Sequence, residues 1–298
     1  MASIKRRLLQ TATEAFFKIM PSSQARRIED ELQRMLIRSQ EIQRQYQASQ
    51  AGELDVEIRD HQGRQLGVSV LEASAPWSTL QPPETDIPGM LTLAEQQYYG
   101  YITQFYRSTG SIVEIGPWMG LSTLLIARGL MENPHFRDTP NARLNVFDDF
   151  VWRSSWMDKW FEKENLALPA NHESFQSLFE GYTKEVADRL HVQRRKVVDY
   201  DGNESLPAIE WTDGPIEIII VDCGRTLEVN DAWWNTFEPS FVPDQTLVIM
   251  QDWQNHKNVP QHHWENTRLF TQKKEGKLQM VHEVKGAGIG TFLYRGSN

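Results

Sequence analysis

The chain has one cysteine, Cys223, in 298 residues, so no internal disulfide can form, as suits a reducing compartment. No apolar run approaches the about 18 residues of a membrane-spanning helix. The N-terminal stretch has neither a continuous apolar core nor a small-residue cleavage site, so no secretory leader is expected and the expected location is cytoplasmic. Positive charge is in the minority, with 31 Lys and Arg against 40 Asp and Glu and a net charge of −9. That argues against a broad polyanion-binding face, and so against a nucleic-acid partner. What is present is the composition of a globular protein, 40% hydrophobic and 24% charged, long enough for one large α/β domain with an appendage. The ten tryptophans are many for this length. Trp152, Trp156, Trp160, Trp233 and Trp234 cluster outside the predicted strands and suggest an aromatic-walled pocket.

The most informative stretch is Ser111-Ile112-Val113-Glu114-Ile115-Gly116-Pro117-Trp118-Met119-Gly120-Leu121-Ser122-Thr123. A short apolar run ends in an acid and a glycine, and a helical period follows from Leu121 to Leu130. Gly116 and Gly120 bracket the turn, where the lack of a Cβ allows tight folding and close ligand approach. The helix N-terminus beyond presents free N–H groups and positive dipole. Such a turn can hold a phosphate or a carboxylate. Glu114 beside it would repel a pyrophosphate and attract an ammonium, which favours a zwitterionic cofactor over a dinucleotide.

Before this unit, Ile4 to Met20 reads as an amphipathic helix with Lys5, Arg6 and Arg7 near its start, and Pro21 ends it. A second helix, capped by Ser22 or Ser23, runs to about Ser49 with a narrow apolar stripe suited to a neighbour such as a dimer partner. A small hairpin is predicted around His61-Gln62-Gly63, and a domain boundary near residue 85 separates an N-terminal extension (1–85) from a catalytic domain (86–298). Leu91 to Tyr106 reads as the helix before strand one.

Strand two, Ala142 to Phe150, ends in Asp148 and Asp149. In a Rossmann-like sheet that acid accepts hydrogen bonds from ribose hydroxyls, and Asp148 immediately follows the apolar run. Val151 to Leu190 reads as a Trp-rich helical insertion, Val192 to Tyr200 as strand three, and Asp201-Gly202-Asn203 as a turn placed for adenine contacts. Ile216 to Cys223 is an apolar strand four, as a parallel strand buried on both faces requires, and Thr246 to Trp253 is strand five. Leu278 to Val284 and Gly290 to Tyr294 form a closing hairpin.

Four segments then occur in one order: Val-Glu-Ile-Gly-x-x-x-Gly-x-Ser, Val-Phe-Asp-Asp-Phe, Ile-Val-Asp-Cys-Gly-Arg and Phe-Val-Pro-Asp-Gln-x-Leu-Val-Ile-x-Gln-Asp-Trp. Over residues 90 to 296 the chain resembles class I S-adenosylmethionine (SAM) methyltransferases, with bacterial sugar and natural-product O-methyltransferases and the cephalosporin-hydroxylase-like group as nearest kin. Trp118 stands where the commoner motif has its middle glycine. The resemblance implies a Rossmann-like seven-stranded sheet, mostly parallel with an antiparallel last strand. It implies SAM as cofactor, with Glu114, Gly116, Gly120, Ser122, Asp148 and Asn203 as its binding residues. Many such relatives hold Mg²⁺ through acids at the ends of strands four and five, which makes Asp222 and Asp252 candidate ligands. Gln251 replaces the first acid of the usual pair, and Arg225 stands where it would oppose a cation.

The implied activity is O-methyl transfer to a hydroxyl of a small molecule, sugar or glycan. A neutral hydroxyl needs a base or a metal to become a nucleophile. Asp252 and His256 are the candidate bases, with Asp222 orienting the acceptor and His172 a lesser candidate. Two rival readings are a non-catalytic assembly protein of the same fold and an enzyme of that fold with hydroxylase-like chemistry.

Overall fold

The computed structural model describes residues 56–66, 76–161, 167–254, 262–284 and 287–296, with side chains of 262–264 excepted. All belong to the compact unit Leu54–Asn298. The helices expected over 4–49, and His256, lie outside the described residues.

In chain order the elements are α1 (Leu93–Ile102), β1 (Ser111–Ile115), α2 (Leu121–Glu132), α3 (Pro134–Arg137), β2 (Leu144–Asp148), α4 (Ser154–Met157), α5 (Gln176–Tyr182) and β3 (Leu190–Arg194). Then come β4 (Ile216–Val221), α6 (Leu227–Phe237), β5 (Leu247–Met250), α7 (His262–Lys273), β6 (Leu278–Glu283) and β7 (Gly290–Tyr294). The seven strands lie in the order β3-β2-β1-β4-β5-β7-β6. β1 to β5 are parallel, and β7 runs antiparallel to both β5 and β6. This is the Rossmann-like methyltransferase sheet that the motif order implies.

The β-branched runs become central strands because both faces are covered. On one face Ile112, Val146, Ile218, Ile220 and Ile249 pack with Tyr98, Ile102, Leu124 and Ile126 of α1 and α2. On the other, Val113, Ile115, Phe147, Ile219, Val221 and Val248 pack with Trp233, Trp234 and Phe237 of α6 and Phe270 of α7. Period-two alternation thus splits one apolar run between two layers. A fully buried Leu or Phe contributes about 1.5–3 kcal/mol, so this double core carries the sheet.

The strands end in step. Ile115 pairs with Phe147 and with Val221, and Val221 with Met250. The residues that follow are therefore gathered at one sheet edge, and the strand order reverses direction between β1 and β4. Crevices of this kind, outside the carboxyl ends at a switch point, are where open α/β sheets bind ligands.

One segment differs from expectation. Residues 151–190 are no continuous helix: Trp152 lies in extended chain beside the bridge Val151↔Ser174, followed by α4, a 3-10 turn (Asp158–Trp160) and α5. Upstream of the boundary expected near 85, Ile58, Leu66 and Trp77 are buried in the same core as α1, so residues 56–66 and 76–80 pack with the sheet.

Candidate active site

A cavity of ≈ 330 Å³ opens at the strand ends, within the about 300–1,000 Å³ usual for small-molecule sites. Its floor is Gly116 and the tips of β1 and β2, including Asp148 and Asp149; Asp222, Cys223 and Arg225 line the β4 side. Trp118, Trp156 and Met157 form an apolar wall, and Arg153, Arg195 and Tyr200 close the β3 side.

The turn after β1 is shaped by three residues with positive φ. Gly116 (φ 83°) sits so near the next strand that a Cβ would lie 3.1 Å from the backbone of Asp222. Gly120 (φ 96°) is the N-cap of α2, and a Cβ there would meet Thr183 Cγ2 at 2.5 Å. Trp118 also has positive φ, 47°. Its ring leans on Trp156, Trp160 and Phe161, with centroids 5.7, 6.2 and 6.2 Å away. The indole is thus drawn into the insertion's aromatic cluster, where it walls the crevice and leaves it open.

Four residues expected to touch cofactor stand behind the cavity rather than on its lining. Glu114 faces α2 and is fully buried, and its Oε2 accepts from Thr123 Oγ1 at 2.6 Å. Burial pushes its carboxyl up to about 7, against the pull of the Ser122 and Thr123 hydroxyls. Glu114 and Ser122 therefore belong to the strand–helix junction rather than to the lining, and Gly120 admits Thr183 and Phe179. Asn203 is wholly buried; its Nδ2 donates to Asp149 Oδ2 at 2.8 Å and its Oδ1 accepts from the Tyr200 amide. It fixes a turn and an acid. His172 pairs with the exposed Asp201 at 3.4 Å, away from the lining.

Asp148, the last residue of β2, does line the cavity. One oxygen accepts the Phe150 amide at 2.6 Å. Burial, then the adjacent Asp149 charge, push its carboxyl up to about 8. Asp149 is committed elsewhere, taking a two-pronged contact from Arg153 (2.6 and 3.2 Å) as well as the Asn203 amide. Arg153 in turn lies 5.2 Å from the Tyr200 ring centroid. Asp149 and Arg153 lie four residues apart, an opposite-charge spacing present in the sequence itself.

Asp222 follows β4 and lines the cavity, whereas Asp252 follows β5 with φ 63°. The Arg225 guanidinium joins them. Its Nε donates to Asp252 Oδ2 at 2.9 Å, its Nη2 contacts the same oxygen, and Nη2 lies 3.7 Å from Asp222 Oδ1. Desolvation and the Asp252 charge hold the Asp222 carboxyl well above the usual range, with Arg225 pulling the other way. Gln251 is spent too: its Oε1 accepts from Tyr99 Oη at 2.7 Å and its Nε2 donates to buried Glu95 at 2.7 Å.

These donors do not fit the Mg²⁺ that the resemblance suggested. The two acids share a guanidinium, and the amide oxygen that would complete the set already has a partner. Among the described residues no group of three or more His, Cys, Asp or Glu is placed to hold a metal ion. Nor is any helix among them long and apolar enough to cross a membrane.

No protein-family model and no curated protein matches the sequence. Solved structures of similar fold include the O-methyltransferase TomG from Streptomyces achromogenes in complex with SAM (16% identity, 70% of this chain and 82% of that one, TM-score 0.43). Others are the O-methyltransferase NovP (10%, 80% and 92%, TM-score 0.47) and apo CalS11, a TDP-rhamnose 3'-O-methyltransferase (16%, 71% and 85%, TM-score 0.44). At these identities the likeness is one of fold.

Proposed function

We propose that this chain is a SAM-dependent O-methyltransferase acting on a hydroxyl of a small molecule or sugar. The observation that carries it is Asp148, a carboxylate at the tip of β2 facing an open cavity at the sheet's switch point. A carboxylate there can accept from both hydroxyls of a ribose, and such charged hydrogen bonds contribute about 1.5–3 kcal/mol each. The lining suits a nucleoside: acceptor carboxyls at 148 and 222, an apolar wall at Trp118 and Met157, and a turn open at Gly116, with Arg153 held on Asp149 and Arg225 on Asp252. SAM would supply an activated methyl group on a good leaving sulfur, so alignment supplies much of the catalysis.

The chain's own task is to orient a hydroxyl and remove its proton. Of the described carboxylates, Asp222 is the best placed base, because it lines the cavity while Asp252 is held by Arg225. Its raised proton affinity makes it a strong acceptor once ionised, so turnover should rise with pH. Trp118 and Trp156 offer ring faces to a sugar or aryl acceptor. A cytoplasmic location and a dimer formed through residues 1–49 belong to the same proposal.

Calorimetric titration with SAM and S-adenosylhomocysteine tests it. Binding of both with one site per chain is expected; binding of neither would leave the fold as a scaffold. A product gaining one methyl, rather than one oxygen, separates this chemistry from a hydroxylase's.

A further inference from the structure

The acids that follow β4 and β5 converge at the cavity's edge, and the space between them is taken. Carboxylates from adjacent parallel strands are the hard oxygen donors a divalent ion seeks. Here Arg225, three residues past Asp222, lays its guanidinium against both: two nitrogens on Asp252 Oδ2 and one 3.7 Å from Asp222 Oδ1. The contact is built rather than incidental. Asp252 is held in the left-handed region at φ 63°, and the preceding Gln251 is locked by Tyr99 and Glu95. Glu95 also accepts from the Gly288 amide at 2.8 Å, and Gly288 lies against the Asp252 backbone. Arg225 lines the cavity and its side chain is 39% exposed, so it faces whatever binds there.

We infer that Arg225 is the resident cation of this site: it fills the seat between Asp222 and Asp252 that a divalent ion would otherwise occupy, and it is a positioning residue for the acceptor hydroxyl. The role in acceptor binding rests on the methyltransferase reading; the occupied seat does not. A guanidinium keeps its charge across the whole working pH range, so this cation cannot be lost to a chelator or to alkali. It also presents fixed N–H donors, where a metal would present exchangeable coordination positions. An acceptor oxygen placed beside it would meet positive charge without any metal cofactor. Lysine would keep the charge and lose the fork.

The test uses Mn²⁺ as probe, followed by its electron paramagnetic resonance signal and by calorimetry on the full chain. Wild type should bind no stoichiometric Mn²⁺. Arg225→Ala should bind one Mn²⁺ per chain at least tenfold more tightly than wild type, and Asp222→Asn in that background should abolish the gain. Arg225→Lys should still exclude the ion, and serves if Arg225→Ala does not fold, because Mn²⁺ uptake by a folded Arg225→Lys would overturn the proposal. So would one equivalent bound by wild type, or no gain in a folded Arg225→Ala. S-adenosylhomocysteine titrated into the same samples keeps the two claims apart. Its failure to bind wild type removes the methyltransferase reading and leaves the seat judged by Mn²⁺ alone.

Discussion

At the residue scale, the two acids that the sequence offered as one cofactor clamp have different work. Glu114 is sealed under α2 with a carboxyl pushed up to about 7 from the usual 4.5. Its native state holds the proton more tightly than the unfolded chain does. The resulting penalty is absent below pH 4.5, grows as pH rises and is complete above pH 7. Glu114→Gln should remove a cost of up to roughly 3 kcal/mol at pH 8 and leave stability at pH 4 nearly unchanged, as read from urea midpoints. Asp148 reports on binding instead. A ribose diol prefers its ionised form, so affinity for S-adenosylhomocysteine should climb from pH 6 to pH 8 by up to about tenfold per unit. Calorimetry in buffers of different ionisation enthalpy should show proton release, and Asp148→Asn should flatten the profile. Asp148 was legible because it ends an apolar run. Glu114's burial was not, since its orientation depends on which sheet face α2 covers.

At the scale of elements, the β1–α2 turn is the most sharply specified piece of the molecule. Gly120→Ala would force φ 96° on an L-residue and drive a methyl against Thr183. It should cost about 2 kcal/mol or more of unfolding free energy with an unchanged urea slope. The Tyr99–Gln251–Glu95 chain ties α1 to the end of β5. Gln251→Leu would leave a buried hydroxyl and carboxylate each short of a partner and should cost about 2–3 kcal/mol by the same measurement. Strands and helices near the sheet were legible, because β-branched runs of five or six residues and a 3.6-residue period have few other uses. The insertion was not. Trp152, Trp156 and Trp160 repeat every four residues, yet Trp152 is held by the Glu173 carbonyl and Asp158 in extended chain. Trp152 packs against Phe161 and Phe175, whereas Trp156 and Trp160 pack against Trp118. The Tyr99–Gln251 bond was equally out of reach, since its partners lie 152 residues apart.

At the scale of the whole molecule, the resemblance carried by motif order implied a mostly parallel seven-stranded sheet with an antiparallel last strand, and the sheet has that form; the order of its strands came from the fold. Of the five tryptophans expected to wall a pocket only Trp156 lines the cavity, joined by Trp118 from the β1–α2 turn, while Trp152, Trp233 and Trp234 are core. Arg225's opposition to a metal was visible in the sequence; its bridge to Asp252 needed the fold to bring two strand ends together. The central claim is that an S-adenosyl cofactor lies in this crevice with its ribose on Asp148. Titration of S-adenosylhomocysteine into wild type and Asp148→Asn at pH 8 tests it most directly. One equivalent bound by wild type, with affinity falling at least about tenfold in the variant, is the predicted result. Equal affinity in the two proteins, or no binding to either, would contradict it.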